Sequence, residues 1–123
     1  MADIIYEDLS FQVMSAVFEV HNVLGPGFLE KVYENALVKE FTLRGIQVET
    51  QKEINVSYKG DNIGRYYADI LVDDKIIIEL KAVDKLSRLN EAQLLNYLKA
   101  TGIKLGYLIN MGSKSVEYKR LVY

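Results

Sequence analysis

The chain has 123 residues, of which 50% are hydrophobic and 26% charged, with a net charge of −2 and no cysteine. This length favours one globular domain over residues 1–123, and the composition is that of a folded chain. The absence of cysteine excludes disulfides and thiolate metal sites and fits a reducing cytoplasm, and the acidic balance argues against a strongly basic nucleic-acid-binding surface. No apolar stretch approaches the roughly 20 residues of a membrane span, so we expect no membrane contact.

The first part of the chain predicts a helical hairpin. Apolar residues recur at helical spacing over residues 8–24, where Asp8 is a candidate N-cap, and again over residues 28–44. The segment Gly25-Pro26-Gly27 should separate the two helices, because proline cannot continue the hydrogen-bond ladder and glycine permits a reversal. Gly45 is expected to end the second helix.

The middle of the chain predicts strands, because the apolar period falls to two residues. Residues 46–58 predict one long or bulged strand, or two short ones, since the polar run 49–53 interrupts them. Residues 59–62 predict a turn. Residues 65–83 then form two apolar runs of strand length, which predict a β-hairpin closed near Asp73-Asp74.

The last part predicts a helix and two strands. Ser87 or Asn90 can cap a helix that runs to about residue 101, and strands over 104–110 and 116–122 follow. The order helix, helix, three antiparallel strands, helix, strand, strand predicts an α/β fold in which helices cover a mixed sheet. A right-handed crossover helix would join the hairpin to strand 104–110 if the two are parallel. As an edge, the final strand could pair with a second subunit to form a homodimer.

Three charges interrupt the predicted hairpin: Asp69 in its first strand, and Glu79 and Lys81 in its second. Ionised groups in an apolar sheet are costly to bury unless they pair or hold a metal. Because side chains alternate along a strand, Glu79 and Lys81 share one face, and the other face carries Ile76, Ile78 and Leu80. This arrangement is the first indication of a functional site.

Whether Asp69 joins that face depends on the hairpin register. A two-residue loop, Asp73-Asp74, would place Asp69 opposite Ile78, whereas a three-residue loop over 73–75 would place it opposite Glu79. A functional site requires the three-residue loop or a bulge.

With that register, two carboxylates and an ammonium group lie together, as a magnesium site would need. Mg²⁺ prefers hard oxygen ligands and often takes one or two carboxylates, and the peptide oxygen of Leu80 could add a ligand. Lys81 could hold the attacking water and balance charge on a pentacovalent phosphorus. The alternative is an ordinary surface Glu–Lys pair of little energetic weight.

Asp69 followed by Glu79-Leu80-Lys81 resembles the motif of the PD-(D/E)XK nuclease superfamily, with Ala68 where the motif has proline. Gln93 and Tyr97, four residues apart on one helical face, resemble the Gln-x-x-x-Tyr element of nuclease domains in bacterial recombination exonucleases. The segment 27–33, Gly-Phe-Leu-Glu-Lys-Val-Tyr, resembles the signature of the GxxExxY family of prokaryotic proteins within that superfamily.

The resemblance implies a restriction-endonuclease-like core and a Mg²⁺-dependent nuclease that hydrolyses phosphodiester bonds in DNA, with Mn²⁺ as a substitute. Asp69, Glu79 and the Leu80 carbonyl would bind the metal. Lys81 would be catalytic, supported by residues of two helices, namely Glu30, Gln93 and Tyr97.

Other interpretations stay open at this point. Glu30 could simply favour the positive end of its helix, and Tyr33 could be a core residue. The chain could also be a catalytically silent nuclease-fold binding module or an oligomeric accessory protein in DNA repair or defence. Finally, the three hairpin charges could form a structural salt-bridge network.

Overall fold

The structure, a computed structural model, describes residues 5–123, which form three helices and a five-stranded mixed sheet. In chain order the elements are α1 (Glu7–Leu24), α2 (Glu30–Leu43), β1 (Val48–Tyr58), β2 (Asp61–Val72), β3 (Ile76–Lys81), α3 (Arg88–Thr101), β4 (Leu105–Asn110) and β5 (Glu117–Val122). This is the predicted α/β architecture. No helix within residues 5–123 is long and apolar enough to cross a membrane.

The strands lie side by side in the order in which they occur in the chain. All neighbours are antiparallel except β3 and β4, which are parallel and are connected through α3, as predicted for a crossover helix. All six residues of β4 are buried, because both faces of this central strand are covered. β1 and β5 form the two edges of the sheet.

Two apolar clusters divide the core between the two faces of the sheet. α1 and α2 pack on the face that carries Ile76, Ile78 and Leu80. α3 packs on the other face, where Leu94 and Leu98 meet apolar side chains of four strands, namely Ile54, Leu71, Ile77 and Leu108. The alternation predicted for β3 is therefore confirmed, and Glu79 and Lys81 belong to the face covered by α3.

Several predicted helix ends differ by one or two residues. Asp8 is not the N-cap of α1: the cap position is Tyr6, which makes no side-chain cap, and Asp8 lies in the first turn, where its charge favours the helix dipole. α2 begins at Glu30 rather than Phe28, because the N-cap residue Leu29 has an extended backbone with φ −74° and ψ 157°. The Phe28 N–H, which lies before the helix, donates to the Tyr33 hydroxyl at 3.2 Å.

Of the two candidate caps of α3, Ser87 holds the cap position. Its hydroxyl accepts from the Asn90 N–H, and the Asn90 side chain accepts from the Ser87 N–H. This reciprocal capping box satisfies two amide groups that a helix start leaves unpaired.

β1 is one long strand with a register shift between Val56 and Ser57, so the single bulged strand is the correct alternative. The β2–β3 hairpin pairs Val72 with Ile76, Leu71 with Ile77 and Ile70 with Ile78. This register leaves the three-residue loop 73–75, the one under which Asp69 lies across from Glu79.

Candidate active site

β2 and β3 separate just beyond their three paired residues, and Asp69 and Glu79 lie at the point of separation, which we call the fork (Asp69, Glu79, Leu80 and Lys81). The Asp69 N–H donates to Glu79 Oε1 at 3.1 Å, and the Leu80 N–H donates to Asp69 Oδ2 at 2.8 Å. The two carboxylates thus satisfy amide groups that the diverging strands would otherwise leave unpaired. They also hold each other in place across the fork.

The fork presents further oxygen atoms that could bind a metal. The two hydrogen bonds from backbone N–H groups use one oxygen of each carboxylate and do not use Asp69 Oδ1 or Glu79 Oε2. The N–H and C=O of a strand residue face the same neighbour, so the Leu80 carbonyl faces the fork as its N–H does, whereas the Lys81 carbonyl faces β4 and accepts from the Met111 N–H at 2.8 Å. Hard oxygen donors of this kind fit Mg²⁺.

Burial and nearby negative charges perturb both carboxyl groups. Burial, followed by the negative charge of Asp69, raises the pKa of Glu79 to about 8. Burial also raises the pKa of Asp69, and the charge of Glu34 adds to that effect. With a pKa of about 8, Glu79 is largely protonated at neutral pH even though the charge of Lys81 opposes the increase. A bound divalent cation would add enough positive charge for both carboxylates to ionise, so the donor set and its electrostatics both fit a metal.

Lys81 is half-buried, and its ammonium group acts on the fork through its charge. That charge opposes the increase in the pKa of Asp69 and of Glu79. Within residues 5–123, however, no ion pair as short as 4.0 Å joins Lys81 to either carboxylate. A network of direct salt bridges among the three charges is therefore not observed.

A buried acid on α2, which the sequence interpretation missed, lies close to the fork. Glu34 is only 4% exposed and accepts from Gln51 Nε2 at 2.6 Å, and Lys31 donates to its other oxygen. Gln51 Nε2 also lies 3.5 Å from Asp69 Oδ1. Gln51 has a φ of 52°, a strained backbone conformation. The chain Glu34–Gln51–Asp69 therefore links the helix to the fork.

The signal for Glu34 was present in the sequence. Glu30, Glu34, Leu37 and Phe41 recur at helical spacing, and both Leu37 and Phe41 are fully buried. Glu34 lies three residues before Leu37 on this stripe and is buried, whereas Glu30, at the first position of the helix, is exposed. Gln51, in contrast, lies in a polar run with no distinguishing pattern, so no sequence signal indicated it.

The helix residues of the Gly-x-x-Glu-x-x-Tyr segment have different surroundings. Glu30 is exposed, yet it lines a small cavity of about 200 Å³ together with Glu34, Gln51, Asp69 and Leu80. Tyr33 is fully buried, and its hydroxyl donates to the Gly25 carbonyl at 2.6 Å. Tyr33 therefore fixes the turn before α2, as the core interpretation predicted.

The two α3 residues of the predicted site lie on the other side of the fork. Tyr97 packs against the apolar cluster that contains Ala68, next to Asp69, and Ile77, two residues from Glu79. Its burial, and then the charge of Glu79, raise the pKa of Tyr97. Gln93 is exposed and lines a groove with Tyr97. Within residues 5–123 neither side chain hydrogen-bonds to Lys81, so no direct support of the lysine is observed.

The structure thus brings together Asp69, Glu79, Leu80 and Lys81, with Tyr97 on one side and Glu30 at the rim of the small cavity on the other. Gln93 is further out, in the groove. No group of three or more His, Cys, Asp or Glu side chains suited to holding a metal occurs in the described part of the chain. A metal here would be held by two carboxylates and a backbone oxygen.

Comparisons with known proteins identify the fold and the family of the chain. The structure known as "Crystal structure of SSO0001" superposes with a TM-score of 0.56 at 18% sequence identity. The superposition covers 94% of this chain and 58% of that one, so this chain spans little more than half the length of SSO0001. At this identity the likeness shows the fold alone.

No curated protein matches the sequence. The family model described as the PD-(D/E)XK nuclease superfamily matches residues 7–121. This match runs from the start of α1 into β5 and includes every residue of the fork. The chain belongs to the PD-(D/E)XK nuclease superfamily.

Proposed function

We propose that this protein is a divalent-metal-dependent nuclease that hydrolyses phosphodiester bonds in DNA. The observation that carries the proposal is the pair of carboxylates, the half-buried Asp69 and the buried Glu79, held side by side at the fork next to Lys81. A pair of carboxylates whose repulsion a cation would relieve, beside an ammonium group, is suited to phosphoryl chemistry.

Each residue of the fork has a distinct task in this proposal. Asp69, Glu79 and the Leu80 carbonyl would hold Mg²⁺, or Mn²⁺ in its place. The bound ion would supply Lewis-acid polarisation of the scissile phosphate. The Lys81 ammonium would orient the attacking water and balance the negative charge that develops on the phosphorus.

Neighbouring residues would support this chemistry from both faces of the sheet. Gln51 would keep Asp69 Oδ1 directed into the fork, because Glu34 in turn fixes the Gln51 amide. Glu30 lines the same cavity as Asp69 and would add negative charge at its rim. Tyr97 and Gln93, on α3, would contact the nucleic acid.

Finer aspects of the proposal rest on the sequence. The segment from Gly27 to Tyr33 supports membership of the GxxExxY family of prokaryotic proteins, and the lack of cysteine supports a cytoplasmic protein. β5 is an edge strand, which supports a homodimer formed along that edge.

A binding module without turnover is the second candidate function. It is favoured by the state of the third acid near the fork: Glu34 is already hydrogen-bonded to Lys31 and Gln51 and is therefore engaged. Asp69 and Glu79 alone would then hold a cation weakly, and the protein, with its net charge of −2, would use that cation to bind a partner without cleaving it.

The test is cleavage of end-labelled DNA with Mg²⁺ or Mn²⁺, together with calorimetric titration of Mn²⁺. The nuclease proposal predicts metal-dependent cleavage and Mn²⁺ binding in the wild type, and loss of both in Asp69→Ala. Binding of Mn²⁺ without cleavage would support the module. An absence of binding at millimolar Mn²⁺ would contradict the metal centre itself.

A further inference from the structure

A groove lies between the β1–β2 hairpin and α3, directly beside the fork. It has a volume of about 590 Å³, and its lining includes two tyrosines, three residues with amide side chains and one lysine, namely Tyr66, Tyr97, Asn55, Gln93, Asn96 and Lys99. We call it the hairpin–helix groove. Tyr66 lies three residues before Asp69 on β2, and Tyr97 packs against the apolar cluster that contains Ala68 and Ile77, so the groove adjoins the fork.

The tyrosines give the groove a stacking surface. Tyr66 is 49% exposed although its ring contacts the Tyr97 ring, with 5.5 Å between the centroids. A planar base inserted between two rings needs about 7 Å, twice the ~3.5 Å of a van der Waals contact. The pair is therefore too close to admit a base between the rings, but the exposed surface of Tyr66 can carry one.

The amides give the groove the means to contact the edge of a base. Gln93 and Asn96 are three residues apart on α3, so they project on the same side as Tyr97. Asn55 lines the groove from β1, but its neighbour Ile54 packs beneath α3, so the Asn55 side chain points to the opposite face of the sheet, where its Oδ1 accepts from the Asn62 amide at 3.0 Å. Amide groups both donate and accept, as the hydrogen-bonding edges of all bases require.

Charge contributes little to the groove. Among residues 5–123, Lys99 is the one cation that lines it, and the nearby Arg65 is paired with Glu53 at 2.8 Å. Ligand binding here must depend on stacking and hydrogen bonds rather than on phosphate neutralisation. In a duplex, neighbouring bases cover the faces and the partner strand occupies the pairing edges, so only an unpaired base offers both.

We propose that the hairpin–helix groove binds an unpaired base of single-stranded DNA next to the fork. This inference rests on the nuclease function proposed above and names its substrate class. A base held in the groove anchors its strand and directs the adjoining phosphate toward Asp69, Glu79 and Lys81. The protein then acts on single strands, including the single-stranded ends and flaps of duplexes.

The test measures binding of a fluorescently labelled oligonucleotide by anisotropy in EDTA, where no metal is bound and no cleavage occurs. We expect the single strand to bind more tightly than the matched duplex. Tyr66→Ala should weaken single-strand binding about 5- to 150-fold, the effect of losing one stacked base. Tyr66→Phe, which keeps the ring, should bind nearly as well as the wild type.

Tyr67→Ala is the matched control. Tyr67 is also 49% exposed, but as the next residue of β2 it points to the opposite face of the sheet. The control should bind like the wild type. Because a single lysine lines the groove, the binding constant should depend only weakly on salt. A plot of its logarithm against the logarithm of the salt concentration should have a slope of about −0.7 to −1.4, which corresponds to one or two neutralised phosphates.

Three results would each overturn the proposal. The first is tighter binding of the duplex, or of RNA of the same sequence, than of single-stranded DNA. The others are a salt slope that corresponds to many phosphates and equal losses of affinity in Tyr66→Ala and Tyr67→Ala. Thermal melts check that the variants fold. Since the measurement needs neither metal nor turnover, failure of the groove leaves the cleavage test intact, and failure of cleavage leaves the binding test intact.

Discussion

Replacing Glu79 with glutamine should stabilise the metal-free protein in alkaline solution. Glu79 is 8% exposed, and its pKa is raised from 4.5 to about 8 by burial and by the charge of Asp69. A folded state that holds the proton more tightly than the unfolded state loses stability as the pH rises from the unfolded pKa to the folded pKa. The free energy of unfolding of the wild type should therefore fall between about pH 4.5 and 8 and level off above.

The magnitude follows from the same values. At ~1.4 kcal/mol for each tenfold change in proton affinity, raising the pKa from 4.5 to about 8 corresponds to a free energy on the order of 5 kcal/mol. Glutamine carries no charge, and its amide oxygen can still accept from the Asp69 N–H as Glu79 Oε1 does. Glu79→Gln should therefore match the wild type at about pH 5 and exceed it by ~2–5 kcal/mol at about pH 8.5.

Urea unfolding in EDTA, followed by circular dichroism at several pH values, measures this difference. Glu19→Gln is the matched control, since it makes the same chemical change at an exposed site on α1 that forms no ion pair within residues 5–123. Its pH profile should follow that of the wild type. Addition of Mg²⁺ should stabilise the wild type but not Glu79→Gln, because the cation neutralises the carboxylate pair. Parallel pH profiles for the wild type and Glu79→Gln would refute the assignment of Glu79 as a buried acid with a raised pKa.

Two further substitutions test the surroundings of the fork. Ser87→Ala removes the hydroxyl that caps α3 and should lower the free energy of unfolding, measured by chemical denaturation, by about 1 kcal/mol. Ser87→Asn should restore most of that stability, because asparagine also caps helices well. An unchanged denaturation midpoint for Ser87→Ala would contradict the capping role. Gln51→Ala removes the amide that lies between Glu34 and Asp69. It should weaken Mn²⁺ binding, measured by calorimetry, about 10- to 100-fold. An unchanged Mn²⁺ affinity would show that Asp69 does not depend on Gln51 for its position.

Much of the fold followed from local patterns in the sequence. The change from helical to alternating spacing near residue 46 separated the helical hairpin from the sheet, and Gly45 and Gly102 marked helix ends because both have a positive φ. The alternation of side chains along a strand was enough to define the two candidate registers of the β2–β3 hairpin. The structure selects the one that sets Asp69 across from Glu79.

The remainder depends on contacts between distant segments, which one sequence does not reveal. The cap of α1 was misassigned because Tyr6 adopts an uncommon conformation with a φ of 51°. Gln51 gained its place near Asp69 from a local irregularity in β1. Glu34 could have been recognised from the buried stripe of α2, but the proximity of that stripe to the fork is a tertiary fact.

Single-turnover cleavage of end-labelled single-stranded DNA, with saturating Mg²⁺ or Mn²⁺, tests the nuclease proposal most directly. The comparison is between Lys81→Ala at the fork and Lys114→Ala in the exposed turn before β5. We predict that Lys81→Ala cleaves about 100- to 1,000-fold more slowly than the wild type, as expected when one group that stabilises developing charge is removed, and that Lys114→Ala cleaves at the wild-type rate. Equal rates for the wild type and both variants would show that the fork is not the catalytic centre.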